Sequence, residues 1–154
     1  MKAALPVLAL LVATALPASA LAGPVEAVQP WSRPAAAGTT GAGYLTLVNH
    51  GKADALVGVE TPLAQKVEMH ASSMTGGVMR MAAEPQVPLP AGGAVAFAPG
   101  GRHLMLIGLK RGLHAGDHLP ATLRFASGAQ LKVDFIVGTG AAEPMDHMHM
   151  SGPH

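Results

Sequence analysis

Four side chains in this sequence could together hold a soft metal ion: His70, Met81, His103 and Met105. Ten residues separate His70 from Met81, twenty-one separate Met81 from His103, and Leu104 alone stands between His103 and Met105. Two imidazoles and two thioethers suit copper, and Cu(I) above all. Thioether sulfur is soft, and imidazole serves both oxidation states. The chain has no cysteine, so no thiolate competes as ligand, nucleophile or redox pair. A second group closes the chain: Met145, His147, Met148, His149, Met150 and His154. Six of the last ten residues are Met or His. His147 and His149 offer nitrogen to Cu(II), and Met145, Met148 and Met150 offer sulfur to Cu(I).

The elements that must position these groups read as short strands. Tyr44 to Val48 ends at the turn sequence Asn49-His50-Gly51. Ala55 to Glu60, Lys66 to Ala71, Val78 to Ala82, Ala94 to Ala98 and Arg102 to Leu109 follow, separated by Gly and Pro. Leu119, Ala121, Leu123 and Phe125 share one face of a later run. Leu131, Val133, Phe135 and Val137 alternate with Lys132 and Asp134, a period of two. No stretch of the mature region shows a capped 3.6-residue period. Seven to nine short strands predict an all-β antiparallel sandwich or Greek-key barrel.

In a strand, His103 and Met105 point the same way, with Cα atoms roughly 6.6 Å apart, while Leu104 and Leu106 turn inward. Met69 should face opposite His70 and fill the core. Met79 and Met81 share a face if their run is regular, and geometry alone does not choose between them. Met74 stands near a turn. His50, His114 and His118 read as surface or turn residues, the ordinary fate of an isolated histidine.

The 154 residues allow one domain. Met1-Lys2, an apolar run to Leu16, and Pro17 followed by small residues predict a signal peptide over 1–22, cut after Ala20 or Ala22. A membrane anchor is the weaker reading, because the run is short and broken by prolines. No cysteine follows it, so on this reading a lipid-modified start is excluded. The mature chain should therefore lie outside the cytoplasm, with one domain over 23–138 and a flexible Met/His-rich tail over 139–154. Formal net charge is +1 and the basic residues are scattered, so no basic stripe marks a nucleic-acid surface. No later run is long enough for stable membrane insertion. The mature chain has few aromatics and no second redox group, which argues against a copper enzyme.

The segments Glu68-Met69-His70, Gly77-Val78-Met79-Arg80-Met81 and Gly101-Arg102-His103-Leu104-Met105 together resemble the PCu(A)C family of periplasmic copper chaperones. So do Gly43 to Gly51, Leu106 to Lys110 and Leu123-Arg124-Phe125, extending the resemblance over roughly residues 25–138. It implies a cupredoxin-like β-sandwich that binds one Cu(I) through His70, Met81, His103 and Met105, and so favours Met81 over Met79. It also implies a partner: an apo cuproprotein such as the copper A domain of cytochrome c oxidase, often beside a Sco-type thiol protein. Similar tails in the family imply extra copper, including Cu(II), at residues 145–154. The expectation is a non-enzymatic carrier of Cu(I). The alternative is a protein that buffers copper without a dedicated acceptor.

Overall fold

The computed structural model describes residues 23–139. The expected signal peptide lies outside the described residues, as does the tail beyond Thr139, including Met145, His147, Met148, His149, Met150 and His154. The described residues are all-β, with no helix. Ten strands follow in chain order: β1 (Val25–Ser32), β2 (Gly41–Asn49), β3 (Asp54–Glu60), β4 (Ala64–Thr75), β5 (Val78–Ala83), β6 (Val87–Leu89), β7 (Ala94–Phe97), β8 (Arg102–Leu109), β9 (His118–Phe125) and β10 (Gln130–Val137).

Their hydrogen-bonded order is β5-β4-β8-β7-β2-β1-β10-β9-β3-β6, with β8 also meeting β2. All but two of these pairings are antiparallel. β1 runs parallel to β10, and β7 meets β8 in parallel. The sheet folds over itself into a sandwich. Its inner faces supply one core, in which Leu47, Leu56, Val87 and Leu123 are fully buried. The layers meet closely where β2 crosses β10: a Cβ placed at Gly43 would stand 3.6 Å from the Phe135 ring. The period-two runs behave as their spacing dictates. Leu119, Ala121, Leu123 and Phe125 are buried on β9, and Val133, Phe135 and Val137 are buried on β10.

One buried polar residue organises the turn after β2. Asn49 donates through Nδ2 to the carbonyls of Lys52 (2.8 Å) and Leu89 (3.1 Å), and its Oδ1 accepts from the Gly51 amide (3.0 Å). These bonds close the β2–β3 connection and pin β6 to it. Asn49→Ala would strand the Leu89 carbonyl in the interior. It is expected to lower stability by about 1–3 kcal/mol, read as a lower urea midpoint at unchanged slope.

Two glycine turns place the strands that matter most. β4 and β5 join through Gly76-Gly77, with Thr75 paired to Val78. Both glycines have positive φ, 59° and 76°, the requirement of a two-residue type I′ hairpin whose twist matches its strands. At the start of β8, Gly100 has φ 84°, and the Gly101 amide donates to the Ala98 carbonyl at 3.0 Å.

Candidate metal centre

β4 is the axis of the site, with β5 on one side and β8 on the other. Directly opposed residues of an antiparallel pair project to the same side, as do alternate residues along one strand. His70 opposes His103, Glu68 opposes Met105, and Ser72 opposes Met81. The register therefore puts His70, Met81, His103 and Met105 on one face of three adjacent strands. Leu104, Leu106 and Met69 take the opposite face and are buried in the core.

Met81, His103 and Met105 line an open cleft of about 490 Å³, with Met79 beside them and Ser72 between the flanking strands. The small Ser72 side chain on the central strand leaves room for β5 and β8 groups to lean toward each other. The far wall belongs to β2 and its neighbours: Ala42 pairs with Met105, and Tyr44 lines the cleft with Arg33. Tyr44 packs on Trp31 at a centroid distance of 4.6 Å, and the Arg33 guanidinium stands 5.6 Å from the Tyr44 ring centre. His70 is not part of the cleft lining. It sits against it, with its ring centroid 5.9 Å from that of His103.

The hydrogen bonds assign one nitrogen of each imidazole. His103 Nδ1 lies 3.2 Å from the Gly101 carbonyl. A carbonyl oxygen only accepts, so Nδ1 carries the proton and the neutral ring keeps its lone pair on Nε2. The same carbonyl accepts from the Ser72 amide at 3.2 Å, tying the ring's orientation to β4. His70 Nε2 lies 3.0 Å from a Glu68 carboxylate oxygen, so here Nε2 donates and the lone pair falls on Nδ1. That Nδ1 is buried and has no hydrogen-bond partner among the described residues. An unpaired buried acceptor costs about 1–3 kcal/mol, and a metal ion is one partner that would remove the cost. Glu68 is suited to its role. The Lys66 ammonium, 2.6 Å away, holds its carboxyl below the ordinary carboxylate range, and His70 adds to this. An oxygen acceptor on one nitrogen and a free lone pair on the other is the arrangement of metal-binding histidines.

Among the described residues β5 is an edge strand that pairs with β4 alone, yet its register is well anchored. Arg102 at the start of β8 donates to both carboxylate oxygens of Glu84, at 2.8 and 3.2 Å. The Glu84 amide in turn donates to the Met69 carbonyl at 2.8 Å. The ion pair is half exposed and contributes at most about 1 kcal/mol; its main effect is positional.

A family model described as "Putative lipoprotein LpqE-like" matches residues 25–137. The chain belongs to the LpqE-like family. This LpqE-like protein is 36% identical over 121 residues to "Putative lipoprotein Lxx21020" of Leifsonia xyli subsp. xyli, across 74% of this chain and 72% of that one. Its fold is that of PCuAC domains. It superposes on the copper-bound PCuAC domain from PmoF2 with a TM-score of 0.64 and 26% identity, covering 76% of this chain and 94% of that domain. The Cu(I) form of DR1885 from Deinococcus radiodurans gives a TM-score of 0.55 and 33% identity, covering 78% and 82%. The family's lipoprotein description meets a chain without cysteine, so no cysteine within these 154 residues can carry a lipid.

The remaining histidines among the described residues take the surface positions expected of them. His50 is exposed and pairs with Glu26 at 3.1 Å, His114 is exposed beside Asp117, and His118 pairs with Asp134 on β10. Sequence reasoning passed over Glu68. Its signal was present, since an acidic residue two positions before His70 in a strand shares its face.

Proposed function

We propose that this LpqE-like protein is an exported carrier of Cu(I) that uses His70, Met81, His103 and Met105 as ligands. The observation that carries the reading is the cross-strand imidazole pair. Each ring has one nitrogen committed to an oxygen acceptor, and the His70 Nδ1 is left buried and unpaired. Thioethers stand on the same face, and no thiolate is available anywhere in the chain. Copper in the PmoF2 domain and in DR1885, both similar to this chain, supports the choice of metal.

The donor set explains why such a protein would carry copper and release it. Both thioethers and both imidazoles are neutral, so bound Cu(I) keeps its positive charge, and a more electron-rich acceptor can draw it away. The Arg33 guanidinium on the cleft wall is a like charge that favours release. The open cleft lets an incoming ligand reach the ion before the last donor departs. The acceptor we propose is an apo cuproprotein of the copper A type found in cytochrome c oxidase, with a Sco-type thiol protein as its companion in the same delivery. The LpqE-like relatives are described as lipoproteins, which supports export, and export agrees with the signal peptide expected over residues 1–22. The Met/His group at residues 145–154 would add a weaker site that also accepts Cu(II).

Titration of apo-protein with Cu(I) against a chromophoric chelator tests the binding step. Mixing the loaded protein with an apo copper A domain tests delivery. Transfer faster than free copper equilibrates supports a carrier, whereas transfer no faster than that marks a buffering protein. Within this scheme, Glu68→Ala should weaken Cu(I) binding about 10–100-fold, the usual cost of removing the group that orients a metal-binding imidazole. An unchanged affinity in that titration would mean that Glu68 does not orient His70 for binding.

A further inference from the structure

One thioether in the cleft has no role in the four-ligand scheme. Met79 lines the same cavity as Met81, His103 and Met105. It lies on the same face of β5 as Met81, two residues away. The two Cα atoms of such a pair are roughly 6.6 Å apart, and each unbranched side chain has three rotatable bonds with which to swing its sulfur. Burial does not distinguish them either. Met79 is 59% exposed and Met81 55%, whereas Met69 on the other face of the hairpin is 5% exposed and plainly core. Met74, directly opposite Met79 in the register, is exposed as well. Val78 on the same edge strand is equally exposed, so exposure alone marks no ligand; Met79 is set apart by its place in the cleft beside Met81, His103 and Met105.

Resting on the copper reading above, we propose that Met79 is a second thioether position for the same Cu(I), exchanging with Met81 during entry and release. In the exchange, a sulfur lone pair of Met79 forms a bond to copper, and the bond to Met81 breaks with its pair returning to that sulfur. Both thioethers are neutral before and after, so no proton or electron moves and copper stays Cu(I). The ion can then shift along β5 without losing its imidazole ligands. The exposed side chains on this edge are the ones an acceptor would meet first.

The test compares full-length protein, Met79→Leu, Met81→Leu and the double variant. All four carry Met145, Met148 and Met150 as Leu and His147, His149 and His154 as Ala, so that the tail cannot mask the result. Cu(I) affinity is read by chelator competition, and the rate of copper loss to the chelator by stopped flow. The expected result is that each single variant stays within about tenfold of the parent while the double falls about a hundredfold or more, a strongly non-additive pair. Met79→Leu alone should also slow copper loss several-fold. The proposal is overturned if Met81→Leu alone costs as much as the double, or if Met79→Leu changes neither affinity nor rate in either background. A parent that binds Cu(I) weakly would overturn the copper reading itself, a separate outcome from failure of the exchange.

Discussion

Protein carrying Met79→Leu, Met81→Leu and Met105→Leu together is expected to fold normally, to lose Cu(I) affinity by at least about a thousandfold, near 4 kcal/mol, and to keep Cu(II) binding. The triple change removes every thioether that lines the cleft among the described residues and leaves both imidazoles in place. Leu and Met are close in volume and polarity, and swaps of this kind usually cost less than about 1.5 kcal/mol in stability. Met79 and Met81 are exposed, so their replacement costs less still. Soft sulfur binds Cu(I) well and Cu(II) poorly, so the loss should fall on one oxidation state. The measurement is a pair of competition titrations, one under reductant and one in air, with the tail ligands replaced as above. Equal weakening of both ions would mean that the Leu side chains distort the imidazoles instead of removing the soft donors.

His103→Ala should show the opposite pattern, weakening both oxidation states by about a hundredfold or more. Imidazole serves both ions, and His103 is the ring most firmly placed: it is buried, its Nδ1 is held by the Gly101 carbonyl, and the residue lines the cleft. Emptying a buried position also costs stability, so His70→Ala is the companion variant. His70 is less deeply buried and sits outside the cleft lining. It should weaken both ions while leaving the urea midpoint closer to the parent. Retention of Cu(I) affinity by both histidine variants would leave thioethers alone as the ligands.

Much of this was legible in the residues. β9 and β10 alternate strictly, and the inward positions that the alternation names are the ones the core takes up. His103-Leu104-Met105 has the same property, because a period of two in a strand parts the cleft-lining His103 and Met105 from the core residue Leu104 without reference to anything distant. Other features depend on distant partners. β1 bends at Gln29, which has φ 48°, and its register shifts between Val28 and Trp31. With Pro30 beside the bulge, no period of two survives to be read. β6 is three residues long and contains a proline; its existence comes from pairing with β3. The parallel contact of β1 with β10 joins the two ends of the domain and has no local signature. At the site, the ligand types were visible but the nitrogen each histidine presents was not. That is decided by Gly101 and Glu68, each two residues before its histidine, a local cue that residue types alone do not turn into a hydrogen bond. Strand geometry does not separate Met79 from Met81, and the fold does not either, since both line the cleft.

The central claim is that the first Cu(I) binds at the face shared by β5, β4 and β8 and not at the Met/His group that ends the chain. Methyl NMR of full-length protein labelled at the methionine ε-carbons tests it most directly. The chain has nine methionines; those after Met1 are each assignable by a single Leu substitution, and a thioether that ligates copper shifts its own methyl signal. With one equivalent of Cu(I) under reductant, the Met81 and Met105 signals should move, with Met79 moving alongside Met81. Met69 should stay fixed in the core. Met145, Met148 and Met150 should respond only as copper exceeds one equivalent. Movement of the three C-terminal methionines at the first equivalent, with Met81 and Met105 unmoved, would contradict the account.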